Sequence, residues 1–507
     1  MKKALISVYY KDGIDIIAKK LVDSGWEIIS TGGTSKFLRE NNIQVTDVSS
    51  ITEFPEILDG RVKTLHPLIF GSILAKDSKE HLDQLKEFKI GKIDLVIVNF
   101  YPFEDALTDK SKSAEDMVQN IDIGGPSMVR AAAKNFKSTV VVIDKEDYLP
   151  VISKLVEQGE IPLEEKRKLA QKAFSYTSFY DSLISDYFFE DKEIKPDFYG
   201  ISGRKKQDLR YGENPHQKAA LYINDIKSPL NNYIQLNGKE LSFNNILDLS
   251  MVYELVNTFI DAEDHFTVIV KHQNPCGAAL KDSCKDSFIN AFAGDPRSSF
   301  GGIVGFNKKV DLKTAEEMSK IFFEVIIAPE FEADALTLLK EKKNLRIIKM
   351  DFNYIEERDI KVVPGGFVSQ DRDNQLKVSE EFELKTSIKP DISQLKDIDF
   401  GWKLIKFVKS NGIIIVKDNT LIGVGAGQMS RVDSVEIAIN KAQSPIENST
   451  LISDAFFPFP DSIEIAAKHK IKVIVEPGGS IKDKSVIKKA EEENISLLFT
   501  GMRHFKH

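Results

Sequence analysis

Lys271 and His272 stand side by side where the apolar run Val268–Val270 ends, ahead of Gln273, Asn274, Pro275, Cys276 and Gly277. An imidazole can take a proton from an attacking nucleophile, and an ammonium beside it favours the uncharged, basic ring. The same ammonium can stabilise an oxyanion. A strand-end histidine capped by backbone is the structural alternative. Pro275-Cys276 also suggests the P-C-x-x-C signature of zinc deaminases. That chemistry needs a second thiolate where Ala279 stands, and an H-x-E that none of the eight histidines supplies. A zinc-activated water is therefore not expected, and Cys276 reads as a small buried residue.

Nearer the N-terminus, several segments are suited to holding anions. Thr31-Gly32-Gly33-Thr34 follows an apolar strand and opens a helix, where free N–H groups and two hydroxyls can face a phosphate. Arg61, Lys63, Thr64 and His66 place three potential cations and a hydroxyl within six residues. His66, ahead of Pro67, reads as local packing. Asn99 and Tyr101 end an apolar strand. Asp122-Ile123-Gly124-Gly125 precedes a helix over Met128–Lys134, whose start can offer donors to a developing oxyanion. Lys134 at its far end equally suits the helix dipole.

In the second half, Arg210 can fork onto a phosphate and Tyr211 can stack on a flat ring. Gly423–Arg431 imitates a dinucleotide fingerprint, but Gly427 leaves G-x-G-x-G, so a Rossmann reading is rejected and Arg431 remains an anion partner. Ser453–Phe459 can wall a heterocycle or pack the core. The terminal Arg503–His507 reads as surface, unless the strand Leu497–Phe499 before it holds Arg503 in place.

The elements that must carry these residues follow from periodicity. Strands are expected at Ala4–Val8, Trp26–Ser30, Gln44–Val48, Ile93–Val98 and Thr139–Ile143, with helices at Gly13–Val22, Ser35–Asn41 and Leu163–Phe189. Alternating strands and helices make a parallel sheet, with ligands at the carboxyl ends of its strands. Residues 1–190 form the first domain, the polar stretch 191–206 a linker, and 207–507 a larger mixed α/β domain. An echo between Ser299–Gly302 and Ser453–Phe457 hints at a duplication in the latter.

Composition sets limits. The chain has 507 residues, 42% hydrophobic and 29% charged, enough for about two to four domains. Its net charge of −8 provides no global field for gripping a nucleic-acid backbone. The run Ala4–Val8 is too short for a signal core, and no segment nears the roughly 20 apolar residues of a membrane helix. Two cysteines make no disulfide framework. These features suit the cytosol.

The order of the motifs carries more than any one of them. TGGT, RVKTLHP, NFYPF, DIGGPSMVRAAAKN, LRYGENPHQ, KHQNPCG, SSFGGIV, GVGAGQMSR, SDAFFPF and the terminal RHFKH span nearly the whole chain. Together they resemble the bifunctional family that joins AICAR formyltransferase to IMP cyclohydrolase in purine biosynthesis. The resemblance implies a methylglyoxal-synthase-like parallel-sheet domain followed by a duplicated cytidine-deaminase-like α/β domain without zinc. It implies formyl transfer from 10-formyltetrahydrofolate to AICAR, then closure of formyl-AICAR to IMP. Lys271, His272 and Asn274 would serve transfer; Lys63, Tyr101, Asp122 and Lys134 would serve closure. Ligand positions would be Lys11, Thr31, Gly32, Gly33, Thr34, Arg61, Thr64, Asn99, Ile123 and Gly124 in the first domain. In the second they would be Arg210, Tyr211, Gly301, Glu324, Asn411, Arg431, Phe456 and Arg503, with phosphate on the arginines. A homodimer with folate sites at the subunit interface and a bound monovalent cation also come with the resemblance. Glu324 stands where the family has Asp. Tyr9-Tyr10-Lys11 replaces its usual Ser-Asp-Lys.

Overall fold

The computed structural model describes residues 1–55, 57–60, 62–189, 196–225 and 227–507. The chain divides into two compact units, Met1–Arg204 and Lys205–His507. Residues 191–195 of the expected linker lie outside the described residues. Its last residues are not loop, because a strand over Arg204–Leu209 begins there.

The first unit is built on β1 (Lys3–Ser7), α1 (Ile14–Asp23), β2 (Glu27–Ser30), α2 (Gly32–Glu40), β3 (Thr46–Asp47), β4 (Leu95–Val98), α3 (Gly124–Lys134), β5 (Val140–Val142) and α4 (Leu163–Phe188). The strands form one sheet in the order β3-β2-β1-β4-β5, every pair parallel. Helices cover both faces, which is why β4 reads as an unbroken apolar run with every residue buried. Ile14, Ile17, Ala18 and Leu21 make the buried stripe of α1. The expected strand over Gln44–Val48 contracts to β3, because Val48 already starts a short helix, Val48–Thr52. The expected helices at Ser35 and Met128 begin earlier, at Gly32 and Gly124, so both glycine pairs lie in first turns. The strand order reverses between β1 and β4, and such a switch point leaves a crevice at the carboxyl ends.

The second unit contains two copies of one pattern. The first is α5 (Phe243–Thr258), β6 (His265–Lys271), β7 (Asn274–Lys281), α6 (Cys284–Gly294), β8 (Ile303–Phe306), α7 (Leu312–Ser319), β9 (Val325–Ala328), α8 (Ala333–Lys340) and β10 (Arg346–Lys349). The second is α9 (Ile392–Ile405), β11 (Ile413–Lys417), β12 (Thr420–Gly425), α10 (Arg431–Lys441), β13 (Thr450–Ser453), α11 (Asp461–Lys468), β14 (Val473–Glu476), α12 (Asp483–Glu492) and β15 (Ser496–Phe499). Both sets join one sheet, in the order β15-β14-β13-β11-β12-β7-β6-β8-β9-β10. Short antiparallel strands, Glu383–Leu384 and Ile234–Asn237, pair its two ends. Read from either edge, the sheet has the same order and the same directions, and the two hairpins meet where β7 pairs antiparallel with β12.

The duplication is thus in the fold, but not where the sequence echo put it. Ser299–Gly302 precedes β8, whereas Ser453–Phe457 starts at the last residue of the counterpart strand β13 and runs past it, so the two stretches are not equivalent. The equivalent segments are the hairpin turns, His272-Gln273 and Asp418-Asn419. All four residues have positive φ, between 49° and 56°. In each copy a carboxylate from the preceding helix accepts both turn N–H groups: Asp248 at 3.1 and 2.6 Å, and Asp397 at 3.1 and 2.6 Å.

Candidate active sites

In the first unit a cavity of about 710 Å³ occupies the crevice between β1 and β4. Its lining includes Lys11, Thr31, Gly33, Thr34, Lys63, Thr64, Asn99, Tyr101, Asp122, Ile123 and Gly124. Gly32 lines an adjoining cavity that shares Thr31 and Lys63. The start of α2 is prepared for an anion. Thr31 is 5% exposed and its hydroxyl has no partner among the described residues. A methyl on Gly32 would sit 2.8 Å from the Lys63 ammonium, and one on Gly33 would sit 3.9 Å from that of Lys11. Two cations, a buried hydroxyl and a helix N-terminus therefore converge.

Other residues here are already occupied. The Thr34 hydroxyl accepts the Val8 N–H and donates to the Val8 carbonyl, at 3.0 and 2.9 Å. The Asn99 carbonyl oxygen accepts from the Tyr9 and Tyr10 N–H groups at 2.5 and 3.2 Å, and its amide donates to the Tyr10 carbonyl. Both fasten the loop after β1, which is the use the structure makes of them. Tyr9 itself lines the cavity, its ring 5.9 Å from that of Tyr101 in an edge-to-face pair. Lys11 donates to the Tyr9 carbonyl at 3.0 Å.

Asp122 sits where α3 begins. It accepts N–H bonds from Gly125 at 2.9 Å and Tyr101 at 3.3 Å, and its own N–H donates to the Tyr180 hydroxyl of α4 at 2.9 Å. Burial pushes its carboxyl above the usual aspartate range, against the pull of those N–H groups and of Lys63. A methyl on Gly124 would fall 2.5 Å from the Thr64 hydroxyl, so only glycine allows this close approach. Lys134 is not brought to the cavity. It ends α3, ten residues past Gly124 or about 15 Å along the axis. It is exposed there and complements the helix dipole. Arg61 lies outside the described residues.

In the second unit the Lys271-His272 pair ends β6 at the top of the first hairpin. The Lys271 ammonium donates to the Phe300 carbonyl at 2.7 Å, next to Gly301, whose φ is 74°. Glu324 adjoins the same turn: its N–H donates to the Gly302 carbonyl, and its carboxylate accepts from Asn245 at 2.7 Å. The His272 ring is exposed while its backbone is clamped by Asp248. Asn274 donates to the His272 carbonyl at 3.1 Å and accepts the Lys409 N–H at 3.1 Å, tying the hairpin to the segment that carries Asn411.

Arg431 departs from the expectation of a phosphate ligand. It is 7% exposed, and its guanidinium donates to Asp454 at 2.5 Å, Ser453 at 2.8 Å and Asn411 at 2.7 Å. Its charge is neutralised inside the protein, and it orders Asn411 and the strand end before Phe456. Phe456 is 37% exposed beside the fully buried Phe457. The C-terminal tail is not frayed. His504 is buried, pairs with Asp373 at 2.6 Å and donates its N–H to the Asp454 carbonyl; the Lys506 and Ser410 segments exchange further bonds. Arg503 is thereby held, exposed, over Phe505. Arg210 stacks on Tyr211 in a separate turn, with no hydrogen bond to the Lys271 group among the described residues.

Sequence reading missed Asp248 and Ser410. Asp248 did leave a signal, as a lone acid inside the apolar run Ile246–Leu249. Burial pushes the Cys276 and Cys284 thiols up to about 11, so neither is a ready nucleophile. Among the described residues, no three His, Cys, Asp or Glu side chains are grouped to hold a metal ion.

A family model described as "AICARFT/IMPCHase bienzyme" matches residues 132–441, and one described as "MGS-like domain" matches residues 13–127. The bifunctional purine biosynthesis protein PurH of Thermoanaerobacter sp. strain X514 is 48% identical over 509 residues, covering all of both chains. Those of Caldicellulosiruptor saccharolyticus and Persephonella marina are each 48% identical over 519 residues, again covering all of both. With one model spanning more than half of its residues and relatives matching end to end, the chain belongs to the AICARFT/IMPCHase bienzyme family.

Proposed function

We propose that this chain performs the last two steps of IMP synthesis. The second unit transfers a formyl group from 10-formyltetrahydrofolate to the 5-amino group of AICAR, and the first closes formyl-AICAR to IMP with loss of water. The observation that carries this is the end-to-end match to bifunctional relatives; the lined cavity of the first unit and the Lys271-His272 pair of the second support it.

For transfer, the amine is conjugated with its ring and attacks poorly. His272 takes its proton as the nitrogen bonds to the formyl carbon, and Lys271 stabilises the tetrahedral oxyanion. Collapse expels the folate nitrogen, which regains a proton. Asn274 acts by holding the hairpin, Asn411 and Phe456 by shaping the wall, and Gly301, Glu324, Tyr211 and the cationic Arg210 and Arg503 by contacting substrate. For closure, the carboxamide nitrogen attacks the formyl carbon, and much of the rate comes from holding the two ends together. The phosphate rests on the start of α2 with Lys11 and Lys63, while Asp122 and Tyr101 handle protons and the Ile123-Gly124 donors receive the developing oxyanion. Lys134 belongs to this set on resemblance alone. So do a homodimer, a monovalent cation without zinc, and a cytosolic site of action. Among the described residues no helix is long and apolar enough to cross a membrane.

The test supplies AICAR and 10-formyltetrahydrofolate and follows tetrahydrofolate and IMP separately. His272→Ala is expected to abolish transfer while supplied formyl-AICAR still closes; Lys63→Ala is expected to do the reverse. Loss of both activities in both folded variants would refute the two-site reading.

A further inference from the structure

β13 and β14 run parallel with Ile452 opposite Val475, which brings Glu476 beside Ser453 at the strand ends. Glu476 is fully buried. One carboxyl oxygen accepts the Phe457 N–H, and the other has no hydrogen-bond partner among the described residues. Two charged groups act on it electrostatically: Arg431, itself paired with Asp454, and Asp483 of α12. The duplicated fold supplies a control. At the same place in the first copy, at the end of β9 and also just before a proline, stands Ala328, equally buried. The scaffold therefore does not need an acid at this position, and an acid costs free energy when buried with an unsatisfied oxygen. What Glu476 does hold is the backbone next to Phe456.

We propose that Glu476 is a positioning residue of the formyl-transfer site, which sets the presentation of the Phe456 ring to substrate through its bond from the Phe457 N–H. This rests on the reading of Phe456 as a wall of that site. Burial pushes the Glu476 carboxyl up to about 8, Asp483 adding to the rise while the Phe457 N–H and Arg431 oppose it. The group is thus an uncharged acid near neutrality and becomes a buried anion on the alkaline side. Lys506, brought down to about 8 by burial, titrates in the same range, so the pH dependence must be read from a variant.

Glu476→Ala, Glu476→Gln and Phe456→Ala, each in the full chain, are compared for formyl transfer with each substrate varied from about pH 6.5 to 9.5. Closure of supplied formyl-AICAR serves as the internal control. Glu476→Ala is expected to raise KM for one substrate about tenfold, with kcat changed by less than about threefold and closure unchanged. Glu476→Gln, which can still accept the N–H, is expected to restore KM to within about twofold and to flatten the alkaline decline. Wild-type KM in Glu476→Ala with Phe456→Ala impaired would overturn the proposal alone, as would a KM in Glu476→Gln as high as in Glu476→Ala. Wild-type kinetics in Phe456→Ala would instead overturn the reading beneath it.

Discussion

Asp122 shows how a single residue's surroundings select its chemistry. Its carboxyl is raised by burial, so proton uptake is favoured in the folded protein. The associated stability is present below the unfolded value of 3.8 and is lost as pH rises through the folded value. Asp122→Asn is therefore expected to match wild type in denaturant titrations at low pH and to be more stable at neutral pH. If Asp122 acts as carboxylate in closure, wild type should lose activity on the acid side at a pH above the usual aspartate range, and Asp122→Asn should be slower by about 10²-fold or more without that limb. A less stable Asn variant at neutral pH would contradict the argument from burial. Tyr9 is the second residue to vary. It lines the cavity and forms an aromatic edge with Tyr101. Tyr9→Ser is expected to weaken nucleotide binding about fivefold or more, since aromatic pairs and stacked rings contribute about 1 kcal/mol; titration calorimetry with IMP measures it. Unchanged affinity would make the ring rim packing.

At the level of elements, turns and helix starts carry the sites. The positive φ of His272 and Gln273 has an energetic cost for residues with a Cβ, and Asp248 offsets it by accepting both N–H groups. Asp248→Ala is expected to cost about 1–3 kcal/mol in the second unit and to lower formyl transfer by more than tenfold, leaving closure intact. Formyl transfer at the wild-type rate in Asp248→Ala would mean that the hairpin holds its shape unaided. Period and turn residues made most of these elements legible. Their starts were less so, because Gly32 and Gly124 look like loop until the first helical turn is seen to include them. The Gln44–Val48 strand failed for a related reason: alternation over a few residues does not reveal that the edge stops at Asp47, whose carboxylate is held by Ser35 and Arg39.

Each unit of the molecule has its own buried core and one tryptophan, Trp26 in the first and Trp402 in the second. This permits each to be followed separately, with Trp26→Phe and Trp402→Phe variants reporting the other unit's unfolding by fluorescence. IMP at about 100 times its Kd is expected to shift the transition reported by Trp26 by about 2.7 kcal/mol. A shift confined to the Trp402 signal would place nucleotide binding in the wrong unit. The twofold repeat of the second unit also makes it possible to separate what the scaffold needs from what chemistry adds. His272 and Asp418 are counterparts in the two hairpin turns, and Ala328 and Glu476 are counterparts at two strand ends, so the repeat separates shared scaffold from residues peculiar to one copy.

Residue type and local order were enough to identify the alternating α/β plan, the glycine turns, the Lys271-His272 pair and the family, because these depend on neighbours along the chain. Which of the named side chains are available to a ligand was decided only by the tertiary structure. Arg431, Asn99, Thr34 and Asn274 have the right chemistry, but partners distant in sequence occupy their polar atoms. Lys134 is separated from the cavity by the rise of its own helix. The same long-range packing put Asp248 beneath His272 and Glu476 beneath Phe457. Hydrogen bonds and burial are properties of what surrounds a residue in space, and only the packed fold specifies those surroundings.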